Sequence, residues 1–139
     1  MTPKEYLKQI ERLDTLIKQR RDEQEELEKY DGINGVDYIS DRVQTSPSND
    51  VSFIRMIEKI EIIKEQINVQ IGEYLELKHK IIGEIQGLPN SIHVRILFEK
   101  YVNYKRLEVI AVEMNYSYDY IKHQHGYALQ SFGRKHLHQ

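Results

Sequence analysis

"IAVEMNYSYDYI", residues Ile110 to Ile121, decides how this chain folds. Before its midpoint, Leu107, Ile110, Ala111 and Met114 recur at helical spacing, and after it Ile121, His125, Ala128, Leu129 and Phe132 do the same. Only Asn115-Tyr116-Ser117 separates the two patterns, which leaves room for a sharp turn between two packed helices and nothing more. Ala111 is small enough to let the helices approach, and Asn115 tolerates the left-handed backbone such a turn needs. Ser117 is a good N-cap, and Asp119 sits where the helix dipole favours an anion. With Ile121, His125, Ala128 and Phe132 turned inward, Tyr118, Asp119, Lys122, His123 and Gly126 form an outward row. Two helices on a turn this short define the helix-turn-helix, whose second helix enters the major groove.

Outward from that joint, the spacing predicts helices from about Lys105 to Met114 and from Tyr118 to Phe132. Pro89 is expected to open a third, carrying Ile92, Ile96, Leu97 and Tyr101. Residues 88–139 thus read as a three-helix domain. Residues 3–30 read as one long helix, with Thr2 as its cap, Pro3 in its first turn, and Tyr6, Ile10, Leu13, Ile17, Leu27 and Tyr30 as its stripe. Residues 31–50 hold two glycines and a proline among short polar residues and read as a linker loop. From Val51 to about Gln86, with Asp50 as cap and Gly87 as stop, runs the longest periodic element. The expected fold is all-α: a helical hairpin or coiled coil over residues 1–87, then the helix-turn-helix domain. A helix of residues 3–30 is too short to cover the whole second stripe. A homo-oligomer, a dimer by preference, is therefore expected through Ile57, Ile60, Ile67, Ile71, Tyr74 and Ile81.

Composition narrows the function. The 139 residues contain no cysteine, which excludes disulfides and zinc-thiolate sites. No apolar run reaches membrane-spanning length, and the charged N-terminus has no signal-peptide core, so a cytoplasmic location is expected. Residues 1–87 carry 13 Lys/Arg against 18 Asp/Glu, whereas residues 88–139 carry 7 against 4 and five of the six histidines. That bias leans the C-terminal part towards a polyanion. Lys105, Arg106, Arg134 and Lys135 flank the second helix of the motif and suit phosphates, which position a protein without specifying sequence. His123 and His125 are two apart on a helix, pointing about 200° from each other, so no shared metal is expected. His136 and His138 are expected in a frayed tail, and His125 as a satisfied core residue. No phosphate loop, acid pair or nucleophile-base arrangement is present, so neither enzyme activity nor a cofactor is expected.

The stretch "LPNSIHVRILFEKYVNYKRLEVIAVEMNYSYDYIKHQHGYALQSF" resembles region 4 of bacterial sigma-70-type factors. Lys100-Tyr101, Ile110-Ala111, Met114, Ser117, Ile121 and Ala128-Leu129 fall in register with that pattern. With "DRVQTSPSND", the long helix and "HGYAL", the wider chain is similar to the small sigma-region-4-like regulators of phages and mobile islands, the ArpU and RinA late-activator group. Where that group often carries Ser-Trp, this chain has Lys105-Arg106-Leu107-Glu108, which removes the usual cap of the helix. The resemblance implies activation of late genes on promoter DNA. No stretch resembles the promoter-melting part of a sigma factor, so host RNA polymerase is the implied partner. The alternatives are a DNA-packaging recognition protein, akin to a small terminase subunit, and a coiled-coil protein-interaction module.

Overall fold

The computed structural model describes residues 1–42 and 47–137, with side chains described for 1–30 and 51–137. Among these the fold is all-α, without a strand: α1 (Pro3–Arg42), α2 (Pro47–Gln86), α3 (Ser91–Leu97), α4 (Leu107–Met114) and α5 (Tyr118–Phe132). Single π-helical turns extend α3 over Phe98–Val102 and α5 over Gly133–Leu137. Among the described residues, no helix is long and apolar enough to cross a membrane.

Helix α1 starts as its sequence dictates. The Thr2 hydroxyl accepts from the Glu5 backbone N–H at 3.2 Å, and the Glu5 carboxylate accepts from the Thr2 N–H at 3.1 Å. This reciprocal cap satisfies two donors that the first turn would otherwise leave bare. The helix does not stop at Tyr30 but continues to Arg42, and α2 begins at Pro47 rather than at an Asp50 cap. The expected loop 31–50 is therefore mostly helix. Gly32 and Gly35 each cost about 1 kcal/mol against alanine but leave the backbone hydrogen bonds in place. The first proline after Pro3 is Pro47, and it sits at a first helical position, where its missing N–H is harmless. Residues 43–46 of the expected loop lie outside the described residues.

The chain divides into two compact units. One is Leu16–Tyr74, where α1 and α2 run antiparallel, Gln24 bonding Asn68 and Arg20 bonding Tyr74. Ile17, Phe53, Ile67 and Ile71 are buried in it. The other joins Met1–Thr15 to Leu75–Gln139. There Tyr6 donates to Glu84 at 2.5 Å, Lys78 pairs with Asp14 at 2.7 Å, and Leu7, Ile10, Leu13, Ile81 and Ile85 are buried. The first turns of the chain thus belong with α3–α5, so the boundary expected at residue 87 does not separate the compact units.

The stripe expected to meet a second subunit is partly covered within the chain. Ile67, Ile71 and Ile81 are buried, and Ile57, Ile60 and Tyr74 are half-buried. Helix α1, at 40 residues, is as long as α2. The exposed apolar residues of α2 are others, among them Ile54, Ile62 and Val69.

Helix α3 begins at Ser91 rather than at Pro89. Asn90, extended at φ −93°, accepts from the N–H groups of Ile92 and His93 at 2.9 and 3.2 Å. Ile96, Ile110, Ala111 and Ile121 form the buried centre of the three C-terminal helices, with Ile92, Leu107 and Met114 packed around it. Helices α3 and α4 both pack on α5.

Candidate nucleic-acid interface

The joint between α4 and α5 is built by two residues. Asn115 adopts φ 60°, ψ 39°, and its N–H and that of Tyr116 return to the carbonyls that end α4, Tyr116 reaching Ala111 at 3.0 Å. This closes the carbonyl end of the helix in a left-handed cap. Ser117 then opens α5, its hydroxyl accepting from the Tyr120 N–H at 3.1 Å. Helix α4 has no such help: Arg106 holds its cap position without a side-chain hydrogen bond, as the missing Ser-Trp pair implied. It begins at Leu107, not Lys105, because Tyr104 takes a left-handed φ of 60° and turns the chain first.

Helix α5 presents the expected row to solvent. Tyr118, Asp119, Lys122 and His123 are exposed, opposite buried Ile121, Ala128 and Phe132, and only Gly126 is half-covered. The His123 Nδ1 lies 2.7 Å from the Asp119 backbone carbonyl, with the Asp119 carboxylate at 3.8 Å. A carbonyl only accepts, so Nδ1 carries a proton and Nε2 is the ring atom left for a ligand. Tyr116 and Tyr120 pair their rings at 4.7 Å and remain partly exposed beside this row.

The flanking cations divide. Arg106 and Arg134 are exposed and make no ion pair among the described residues. Lys105 differs from expectation: its ammonium bonds Glu99 at 2.7 Å and Glu113 at 2.8 Å. These bonds raise its pKa, Glu113 contributing most, and hold the Glu99 carboxyl below its usual range. A phosphate would have to displace both carboxylates. Lys135 donates to the Gly87 carbonyl at 2.5 Å, capping the end of α2. His136 is not frayed either; it meets the Glu84 backbone carbonyl at 3.1 Å and packs its ring at a tilt on Phe132, centroids 4.9 Å apart. His138 lies outside the described residues.

His125 is the satisfied residue its inward position predicted. Its Nε2 lies 2.9 Å from the Tyr101 hydroxyl, and burial, with Lys100 and Lys4 nearby, pushes its pKa down to about 4. Among the described residues, no group of three or more His, Asp or Glu is placed to hold a metal.

Two cations went unread in the sequence. Lys4 and Lys8, one turn apart on α1, line an open cleft of about 290 Å³ with Lys100 and Arg106. The i, i+4 lysine pair was visible, but nothing local connects it to residues almost a hundred positions later. No family model, curated protein or solved structure matches this chain.

Proposed function

We propose that this chain binds double-stranded DNA through α4 and α5 and regulates transcription of phage or mobile-element genes together with host RNA polymerase. The observation that carries the reading is the joint itself. A left-handed Asn115 and a capping Ser117 set α5 on α4, with Tyr118, Asp119, Lys122 and His123 exposed along the first two turns of α5. In helix-turn-helix proteins those turns meet base edges. Lys122 offers a donor to guanine O6 or N7. His123, its Nδ1 spent on the Asp119 carbonyl, presents Nε2 to the base edges. The resemblance to sigma region 4 supports the same use of α5, and the positive balance of residues 88–139 suits a polyanion.

Footprinting on the DNA flanking the protein's own gene, with and without RNA polymerase, tests the reading. Protection upstream of a promoter, strengthened by polymerase, is expected. Protection confined to a packaging site would favour the terminase-like alternative, and no protection at any salt concentration would remove DNA binding altogether.

A further inference from the structure

We infer that the cleft lined by Lys4, Lys8, Lys100 and Arg106 is a second contact with DNA, a clamp for backbone phosphates supplied in part by the first turns of the chain. The inference rests on the proposal that the chain binds duplex DNA and extends the binding surface beyond α4 and α5.

Four cations surround this one cleft, and none of them forms an ion pair among the described residues. Its single acidic wall residue is Glu11. Lys105 also borders it but is neutralised by Glu99 and Glu113, and the Tyr104 hydroxyl is bonded to Asp14. Like charges gathered without partners destabilise a surface, and the fold had acidic residues to hand. In the unit Leu16–Tyr74 there are 13 Asp/Glu against 8 Lys/Arg, whereas the unit holding the cleft has 9 against 12. An external anion would offset that repulsion.

Position beside the proposed DNA-binding helices favours a polyanion over a small anion. The four cations come from α1, from the turn extending α3, and from the entry to α4, so three elements contribute to the one cleft. Arg106 stands at the N-terminal end of α4, the helix that crosses the backbone in a docked helix-turn-helix. Tyr101 in the wall of the cleft meets His125 of α5 at 2.9 Å, so the cleft adjoins the inward side of the proposed reading helix. Phosphates of a duplex held by α5 would meet Arg106, Lys100, Lys8 and Lys4 as a further set of contacts.

The test measures binding of the full chain to a random-sequence 30-base-pair duplex and to a footprinted site, across a salt series. Four forms are compared: wild type, Lys4→Gln/Lys8→Gln, Lys4→Arg/Lys8→Arg and Lys122→Ala/His123→Ala. Lys4 and Lys8 are exposed and glutamine keeps helix propensity, so melting should be unchanged. Each phosphate contact contributes about 0.9 to the slope of log K against log salt. The Lys4→Gln/Lys8→Gln form should lose nearly two units of slope on both duplexes while keeping its sequence preference, and Lys4→Arg/Lys8→Arg should restore the slope. An unchanged slope, with binding weakened by Lys122→Ala/His123→Ala, would overturn the clamp and leave the α5 reading intact. Wild type that binds inorganic phosphate but no duplex at low salt would overturn both.

Discussion

His125 shows how a single residue couples the C-terminal helices to pH. Its imidazole is half-buried against Tyr101 and stays neutral in the folded chain down to about pH 4, whereas an unfolded histidine titrates near 6.5. A lowered folded pKa means that the unfolded chain binds the proton first, so stability falls as pH drops from about 6.5 towards 4. The melting temperature of the wild type should decline over that window, and His125→Gln should flatten the decline. An identical profile for both forms would mean that His125 is not held neutral. At the turn, Ser117→Ala should cost about 1 kcal/mol in urea denaturation by stripping the α5 cap. Asn115→Val should cost about 1–2 kcal/mol by forcing a branched residue into the left-handed region. Both residues were legible in the sequence because their roles are local: each acts on backbone within four positions. Lys105, Lys135 and His136 were not, because the groups they bond depend on packing. Gly87 and Glu84 lie 48 and 52 positions from theirs.

Among the elements, α5 was legible to the residue, since an unbroken 3.6 period and a capping serine mark its start. The reach of α1 was not. Two glycines and an acidic, apolar-poor stretch imitate a loop, and only the partner helix decides whether such a segment stays helical. Close approach is equally invisible in one dimension. A side chain at Gly133 would place its Cβ 2.8 Å from the Pro3 ring, whereas Gly126 has open space around it. Gly126→Ala should therefore stabilise by about 0.5–1 kcal/mol through helix propensity. Gly133→Ala should destabilise by about 1–3 kcal/mol through overpacking, and Pro3→Ala should relieve it. Thermal melts of the three variants check this. Equal gains at both glycines would show that α1 does not pack on the end of α5.

At the scale of the whole molecule, Ile67 and Ile71 of the stripe expected to meet a second subunit are buried within the chain. Ile67→Asp should thus destabilise the chain itself, by more than about 3 kcal/mol and independently of protein concentration, because it buries an unpaired charge. Ile62→Asp, on the exposed side of α2, should leave stability within about 0.5 kcal/mol. That stripe was readable from its period, but the identity of its partner was not, because periodicity says which face is buried and never against what. The same gap concealed the joining of residues 1–15 to α3–α5, and with it Lys4 and Lys8. Charge did survive as a readable signal. The unit containing α5 has the positive balance and Leu16–Tyr74 the negative one, so a polyanion should be drawn to one unit alone. The most direct measurement is the affinity and base preference of Lys122→Ala and His123→Ala on a footprinted site. If α5 reads DNA, each loses about 1–3 kcal/mol and relaxes discrimination at one position of the site. Unchanged affinity and unchanged preference in both would contradict the account and leave Asn115-Tyr116-Ser117 as a tight corner between two packed helices.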